Sequence, residues 1–278
     1  MPYAVKIEPG TRVNLSKINP NVDHGLTKAA GEAAFDALAE ELGELQELMY
    51  AAQEHALLAV LQGLDTAGKD GAIRSVFKDA DPQGCRVASF KAPTPIELAH
   101  DFLWRVHQHT PERGMFAIFN RSHYEDVLVV RVHELAPETV WSHRYDHINA
   151  FERLVADNNT VVAKFYLHIS KEEQEKRLLA REQDVEKAWK LSAGDWLERR
   201  AWERYMEAYE DALLNCSTAH APWYVIPANR KWFRNLAIAE TLVELLRPLK
   251  SGWLKTLEAR GAAELKAIKE ARGERQKS

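Results

Sequence analysis

Residues 56–71 read ALLAVLQGLDTAGKDG, and this stretch decides the fold. Its first part, residues 56–61, is a short and fully apolar run, which is typical of a central parallel strand covered on both faces. Its second part, residues 63–71, matches the first seven positions of the pattern G-x-x-x-x-G-K-[ST]. Because the pattern follows a predicted strand and opens a predicted helix, it predicts a loop that binds phosphate.

Each residue type in this loop has a physical role. Glycines allow successive backbone N–H groups to converge on phosphate oxygens, and the next helix adds the positive end of its dipole. A lysine supplies a compact positive charge. The residues expected to contact phosphate are Gly63, Thr66, Ala67, Gly68, Lys69, Asp70 and Gly71. The alternative interpretation is a glycine-rich turn with a surface lysine.

The loop departs from the pattern in its acidic residues. Asp70 stands where the pattern has Ser or Thr, and Asp65 lies inside the loop. Two carboxylates beside bound phosphates repel them unless a cation intervenes. The sequence therefore predicts either Mg²⁺ held by Asp65 and Asp70, or an aspartate that orients and deprotonates an attacking phosphate oxygen. The replacement of Ser or Thr by Asp70 also argues against a generic nucleoside triphosphatase.

A second polar segment, FNRSHYED at residues 119–126, directly follows another apolar run. In open parallel sheets, functional groups gather at the carboxyl ends of the strands. Arg121 is therefore expected beside the phosphate-binding loop, with Glu125 or Asp126 within reach of its Mg²⁺. The alternative is an ordinary helix start, with a polar N-cap and acidic residues in the first turn.

Strand-like and helical patterns alternate along the rest of the chain. The predicted strands lie at residues 56–61, 85–90, 115–119, 160–169 and 223–226. The predicted helices lie at residues 25–53, 94–109, 138–156, 170–181, 195–215 and 231–246, and residues 127–132 fit either a strand or a helix. Strands that alternate with helices form βαβ units, so the sequence predicts a parallel five-stranded sheet flanked by helices.

The predicted organisation is one α/β domain over residues 1–278. Its expected parts are an irregular lead-in and first helix at 1–54, a core at 55–250, and a C-terminal helix and tail at 251–278. Within the core, residues 176–204 are rich in Lys and Arg interspersed with acids. We interpret them as a lid, because closing basic side chains over phosphates neutralises charge and excludes water. A solvated helical surface is the alternative.

Composition limits the classes of function. With 46% hydrophobic and 28% charged residues, the chain is not of the disordered class, and no apolar run is long enough to span a membrane. Its two cysteines have no metal-binding spacing, which favours a reducing cytoplasm. A net charge of −4 argues against nucleic acid as a partner. Phosphate chemistry then requires a local basic groove on an otherwise acidic surface.

Four segments together resemble the family-2 polyphosphate kinases. They are the loop GLDTAGKDG, the segment FNRSHYEDVLVVRVH, the stretch from Lys187 through Asp195 to WERYMEAYEDAL, and the stretch APWYVIPANRKWFRN, and the similarity covers residues 26–249. The resemblance implies a P-loop kinase fold similar to thymidylate kinase, with a helical lid and additional helices at both ends. It also implies transfer of phosphate between inorganic polyphosphate and nucleotides with Mg²⁺.

The resemblance assigns site residues by motif. They are the acid–lysine–acid set Asp65, Lys69 and Asp70, the second motif Asn120, Arg121 and Glu125, and the lid residues Lys187, Lys190 and Asp195. The chain length and the long N-terminal helix are most similar to the subgroup that phosphorylates both AMP and ADP.

The sequence thus predicts a cytoplasmic, polyphosphate-dependent kinase that forms ADP and ATP by in-line transfer. Lys69 is expected to hold the phosphates, Asp65 to orient the acceptor phosphate, and Arg121 to stabilise the equatorial oxygens. No nucleic acid or membrane partner is expected, and the terminal helices suit a homodimer or homotetramer. The alternatives are an ATP-dependent nucleoside or nucleotide monophosphate kinase and a non-enzymatic protein that binds nucleotides or polyanions.

Overall fold

The computed structural model describes residues 2–184 and 192–272. Within these residues the strands form one sheet of six, in the order β1-β6-β5-β2-β4-β3. The strands are β1 Val5–Ile7, β2 Ala56–Gln62, β3 Cys85–Ser89, β4 Phe116–Asn120, β5 Thr160–His168 and β6 Trp223–Pro227. Strand β2 lies inside the sheet between β5 and β4, and every one of its residues is buried, as its continuous apolar run predicts.

The five predicted strands are present and parallel, which confirms the predicted α/β sheet. Strand β1 is an addition: it runs antiparallel to β6, with Ile7 opposite Trp223. The prediction that residues 1–25 are an irregular lead-in is therefore wrong for this segment. The strand has three residues, of which only Ile7 is buried, and a pattern this short is not visible in the sequence.

Helices lie around the sheet. They are α1 Lys28–Ala52, α2 Lys69–Val76, α3 Pro95–Leu98, α4 Trp104–His107, α5 Val129–Val132, α6 Glu138–Trp141, α7 Arg144–Asp157, α8 Lys171–Glu182, α9 Ala193–Arg200, α10 Trp202–Cys216, α11 Lys231–Leu246 and α12 Lys250–Ala271. Helix α11 packs on β5 and β6 and also against α1, whereas α7 packs on β5 and against α10. In the described part of the chain, no helix is both long and apolar enough to cross a bilayer.

Three of the predicted helices are interrupted. The helix expected over 94–109 is split into α3 and α4, because the Asp101 carboxylate accepts a hydrogen bond from the Leu103 N–H at 3.0 Å and so turns the chain. The helices expected over 138–156 and 195–215 are likewise split, into α6 and α7 and into α9 and α10. Residues 127–132, whose sequence fits either a strand or a helix, contain the short helix α5.

The start of α8 shows how the helices are tied to the sheet. Ser170 accepts a hydrogen bond from the Glu173 N–H at 3.2 Å, as expected for an N-cap. The Glu173 side chain does not complete a capping box, because it pairs with Arg177. The Ser170 N–H instead donates to the Asn229 side chain at 3.0 Å, so the residues after β6 help to fix the direction of α8.

Candidate active site

The phosphate-binding loop connects β2 to α2 and needs its glycines at two positions. Gly63 has a φ of +154°, and a Cβ there would lie 3.0 Å from the Leu167 carbonyl oxygen. Gly68 has a φ of +100°, and a Cβ there would lie 2.1 Å from a guanidinium nitrogen of Arg234. Glycine is the residue that tolerates both the backbone conformation and the close approach.

The lysine of the loop is buried at its centre. Lys69 is 8% exposed, and its Nζ donates to the carbonyl oxygens of Gly63 at 2.6 Å and Leu64 at 3.3 Å. Burial and the nearby Arg121 lower the pKa of Lys69 to about 8, in spite of neighbouring carboxylates. Because the charge is only partly compensated by the protein, an additional anion at this position would be favourable.

Polar atoms of the loop remain available to such an anion. The backbone N–H groups of Thr66, Gly68 and Lys69 donate to no other residue of the described chain. The Thr66 hydroxyl oxygen is buried and has no hydrogen-bond partner among the described residues. Buried polar groups are normally satisfied, so these atoms indicate a ligand site. Phosphate oxygens accept from N–H groups at a helix N-terminus.

The second predicted motif lies directly beside the loop. Strand β4 ends at Asn120, whose amide nitrogen donates to Asp70 Oδ1 at 2.9 Å. The Arg121 guanidinium donates to Asp65 Oδ1 at 2.7 Å and to Glu125 Oε2 at 3.2 Å. The structure thus brings both loop acids and the whole second motif together at the carboxyl ends of β2 and β4, where the strand-end rule places them.

Arg121 has an unusual backbone. Its φ is +61°, a left-handed conformation that is costly for a side chain of this kind. Its N–H donates to the Leu61 carbonyl oxygen at 3.0 Å, which holds the strained residue against the end of β2. Strain of this kind is concentrated at functional sites, because the surrounding structure must enforce it. In this conformation the Arg121 guanidinium reaches the loop and bonds Asp65.

A partly open cleft, which encloses only about 30 Å³ in this conformation, extends from the loop. One part of its lining is charged and is formed by Asp65, Arg121 and Glu125. The other part is aromatic and is formed by Trp202, Tyr205 and Tyr209. Burial, together with the nearby Glu125, raises the pKa of Tyr209 well above its ordinary value, so its hydroxyl stays protonated. The chemistry of this lining matches a ligand with phosphates at one end and a flat apolar group at the other, and the cleft has to widen to admit one.

The predicted lid is described only in part. Lys187 and Lys190 lie outside the described residues. Asp195 lies in the first turn of α9, where it accepts a hydrogen bond from Arg181 at 2.5 Å. Burial and the nearby Asp65 carboxylate raise the pKa of Asp195 despite Arg181. Asp195 is therefore close enough to the loop acid to interact with it electrostatically.

A chain of hydrogen bonds connects helices α9 and α8 to the phosphate-binding loop. Arg199 of α9 donates to the Gln174 side-chain oxygen at 3.1 Å, and the Gln174 amide nitrogen donates to the Asp65 carbonyl oxygen at 3.2 Å. Arg199 also pairs with Glu175 at 2.6 Å. Much of the cationic character predicted for the lid is thus already engaged by neighbouring residues in this conformation.

Two arginines behind the loop were not expected there. Arg177, which the sequence places in the lid, donates to the carbonyl oxygens of Thr66 at 3.0 Å and Ala67 at 3.1 Å. Arg234, from α11, donates to the carbonyl oxygen of Gly68 at 3.1 Å. The sequence does not reveal either contact with the loop, because the partners are far apart along the chain. Arg177 and Ala67 are separated by 110 positions, and Arg234 and Gly68 by 166.

A buried ionic network behind the second motif was also missed. Glu152 of α7 accepts hydrogen bonds from Lys164 Nζ at 2.5 Å, from the Tyr124 hydroxyl at 2.9 Å and from His123 Nε2 at 3.2 Å. Burial lowers the pKa of His123. Burial by itself would raise the pKa of Glu152, but the neighbouring Lys164 and His123 together outweigh it and the pKa is lowered. The available signal is that Glu152 and Lys164 each interrupt an apolar pattern in the sequence.

The acidic residues of the loop fit a metal shared with phosphate. Within residues 2–184 and 192–272, no group of three or more His, Cys, Asp or Glu side chains could hold a metal ion. Mg²⁺ in phosphoryl transfer is usually held by one or two carboxylates, with substrate phosphates and water completing its shell. Arg121 and Asn120 engage the Oδ1 atoms of Asp65 and Asp70. This donor set suits Mg²⁺ in the presence of phosphate.

Comparison with known proteins is consistent with this geometry. Residues 25–251 match the family model described as Polyphosphate kinase 2 (PPK2). The chain is 52% identical over 247 residues to the AMP/ADP-polyphosphate phosphotransferase of Meiothermus ruber, covering 88% of this chain and 92% of that one. It is 42% identical over 268 residues to the ADP-polyphosphate phosphotransferase of Rhodopseudomonas palustris, covering 92% and 93%.

A solved structure extends the comparison to the fold. The crystal structure of polyphosphate kinase 2 from Arthrobacter aurescens superimposes with a TM-score of 0.84 at 43% sequence identity. The match covers 87% of this chain and 88% of that chain. The predicted P-loop kinase fold is thereby confirmed, with the additional edge strand β1 as the correction.

Proposed function

The chain belongs to the polyphosphate kinase 2 family, and on that basis we propose that it is a polyphosphate-dependent nucleotide kinase. It transfers a phosphoryl group between inorganic polyphosphate and AMP or ADP, forming ADP and ATP. The observation that carries the proposal is the pairing of a phosphate-binding loop with two acids, Asp65 and Asp70, each bonded to a residue of the second motif. Relatives named AMP/ADP- and ADP-polyphosphate phosphotransferase support this substrate class.

The proposed reaction is an in-line displacement. An oxygen of the nucleotide's terminal phosphate forms a bond to the terminal phosphorus of polyphosphate. The bridging P–O bond breaks, and its electron pair stays on the shortened polyphosphate chain. In this proposal Lys69 and the free N–H groups of the loop hold the transferring phosphate, and Arg121, which bonds the loop residue Asp65, neutralises charge on the equatorial oxygens.

Asp65 has three functions in this proposal. It holds the Arg121 guanidinium at 2.7 Å, and it orients the acceptor phosphate. Asp65 and Asp70 would hold Mg²⁺ when substrate is bound. The metal would supply charge neutralisation between the donor and acceptor phosphates. The predicted lid closes over the reacting phosphates and excludes water.

The cleft supports a nucleotide as the acceptor. Its charged part joins the loop, while Trp202, Tyr205 and Tyr209 form an aromatic part. Phosphates fit the first part, and a nucleobase fits the second by stacking or apolar contact. The ATP-dependent monophosphate kinase remains the rival interpretation. Asp70, in place of the Ser or Thr that binds Mg²⁺ in such enzymes, argues against it.

The decisive experiment omits ATP. Purified protein is incubated with AMP, polyphosphate and Mg²⁺, and nucleotides are separated by ion-exchange chromatography. We expect ADP and then ATP, no product when polyphosphate is left out, and none from the Lys69→Ala variant. Formation of ADP only when ATP replaces polyphosphate would support the rival kinase. Binding of both ligands, measured by calorimetry, without any turnover would instead support a non-enzymatic binding protein.

A further inference from the structure

Arg234 is a buried cation that the proposed chemistry does not use directly. It lies in the first turn of α11 and is 2% exposed. Its guanidinium donates to the Gly68 carbonyl oxygen at 3.1 Å and, through two nitrogens, to the Asn235 side-chain oxygen at 2.7 and 3.0 Å. The guanidinium occupies the space that a Cβ at position 68 would need.

Within the part of the chain that the structure describes, the charge of Arg234 has no counter-charge. No carboxylate of residues 2–184 or 192–272 acts on it, and the charged neighbour is Arg177, which repels it. Burial and Arg177 lower the pKa of Arg234 to about 10, so it remains protonated near neutral pH. Burying an unpaired charge is costly, and such a charge persists only where something else requires it.

Arg234 contacts a different part of the loop from the part that lines the cleft: the cleft is lined by Gly63, Leu64 and Asp65, whereas Arg234 bonds Gly68. Arg234 and Arg177 bond the carbonyl oxygens of Thr66, Ala67 and Gly68 from behind. The N–H groups of Thr66, Gly68 and Lys69 have no partner within the described chain. The Ala67 and Gly68 carbonyls share their peptide groups with the free N–H groups of Gly68 and Lys69, so the arginines engage the negative ends of these two peptide groups and leave the positive ends available to an anion.

We propose that Arg234 is a positioning residue whose unpaired positive charge, acting through the Gly68 peptide, adds to the affinity of the loop for the phosphates of polyphosphate. The inference rests on the proposed function for the identity of the phosphate ligand. It assigns to α11, which does not line the cleft, a part in substrate binding.

The proposal has a consequence of unusual sign for stability. The Gly68 carbonyl oxygen also accepts the Ala72 N–H at 2.9 Å, so it stays bonded when Arg234 is replaced. Asn235, the other acceptor of Arg234, is only partly buried. Replacing Arg234 with an apolar side chain of similar length should therefore leave the ligand-free protein as stable as before, or more stable. A purely structural arginine would give the opposite result.

The test compares Arg234→Met with Arg234→Lys and with Arg247→Met. Arg247 follows α11, and its exposed guanidinium pairs with Glu41, so it is the matched control. Each protein is melted alone and with saturating polyphosphate, and steady-state constants are then measured with AMP. For Arg234→Met we expect a ligand-free Tm no more than about 3 °C below wild type, a much smaller shift on adding polyphosphate, and a KM for polyphosphate raised about tenfold.

Other readouts separate positioning from general damage. The KM for AMP should change by less than about twofold, because the effect acts through the loop that holds the donor. Arg234→Lys should recover part of the polyphosphate-induced shift, and Arg247→Met should behave as wild type. Failure of Arg234→Met to fold, a large drop in its ligand-free Tm, or an unchanged polyphosphate shift would each overturn the proposal.

The same measurements distinguish this inference from the proposed function. The shift in Tm on adding polyphosphate needs no turnover, so it tests Arg234 even if AMP is not phosphorylated. Absence of turnover with a normal wild-type shift would reject the kinase proposal alone. Absence of any shift in the wild-type protein would reject the inference about Arg234.

Discussion

Two buried cations, Lys164 behind the second motif and Arg234 behind the phosphate-binding loop, occupy comparable places in the molecule. Lys164 is fully surrounded by acceptors, with Glu152 at 2.5 Å, the Cys216 carbonyl oxygen at 2.6 Å and the Tyr124 hydroxyl at 2.8 Å. Arg234 has hydrogen bonds but no carboxylate in the described chain. A compensated buried charge serves the fold, whereas an uncompensated one favours an anion that the protein does not itself provide.

Lys69 lies between these two cases, because burial outweighs the neighbouring carboxylates and leaves its charge only partly compensated, and its replacement should give the largest effect. We expect Lys69→Ala to lower kcat/KM by about 10³-fold or more, since it removes the positive charge at the transferring phosphate. The thermal midpoint should hold or rise, because burial opposes the charge of Lys69 in the free protein. Coupled detection of ADP and a thermal melt measure the two quantities. A variant that loses activity because it unfolds would contradict this view of Lys69.

Glu152→Gln tests the compensated side. The change leaves Lys164 buried beside a neutral partner, so the free energy of unfolding should fall by about 3–5 kcal/mol in a urea titration. The control is Glu41→Gln, which removes the exposed partner of Arg247 and should cost no more than about 1 kcal/mol. Equal losses from the two variants would remove the distinction between compensated and exposed pairs in this protein.

Asp65→Asn tests the contact between the two motifs. The substitution keeps the shape of the side chain but removes the charge that holds Arg121 at 2.7 Å. We expect kcat to fall by about 10²- to 10³-fold, with little change in the Tm. Glu198→Gln, a change at the far end of the cleft, is the comparison variant and should affect kcat less. Near-full turnover by Asp65→Asn would show that its assigned role is wrong.

The smallest expected effect is that of pH. The pKa of Lys69 is lowered to about 8, so its protonated form is lost in the free enzyme above that pH. We expect kcat/KM for polyphosphate to decline about tenfold per pH unit above about pH 8. The free energy of unfolding should instead rise over the same pH range. Burying protonated Lys69 costs stability below its folded-state pKa of about 8, and this cost is relieved as pH rises from 8 toward the ordinary value of 10.5. A flat profile from pH 8 to 9.5 would contradict the first expectation.

The sequence was sufficient for the parts of the site that depend on local pattern. The loop at residues 63–71 follows from a buried strand, spaced glycines and a helix start. The position of Arg121 follows from a topological rule, since the carboxyl ends of neighbouring parallel strands share one edge. Both predictions need only short-range pattern and the order of the elements.

The remaining parts depend on contacts between distant residues. Arg234 meets Gly68 across 166 positions of sequence, and no periodicity relates the two. Lys164 and Glu152 each interrupt an apolar pattern, but nothing in the sequence shows that the fold buries them as a pair. Strand β1 and the turn at Asp101 are each set by a few residues, for which tertiary pairing or a single side-chain hydrogen bond outweighs local preference.

The left-handed backbone at Arg121 has a consequence for anyone who evolves this protein in the laboratory. A glycine would adopt the φ of +61° without the penalty of about 1–2 kcal/mol that a side chain incurs there. Arg121→Gly would, however, leave Asp65 and Glu125 without their ion-pair partner. Arg234→Met carries no such loss, so a library screened for heat resistance alone should enrich it and thereby weaken the binding of polyphosphate. Selection schemes for a tougher catalyst need to reward turnover in every round, because at position 234 the most durable molecule and the most active one are different sequences.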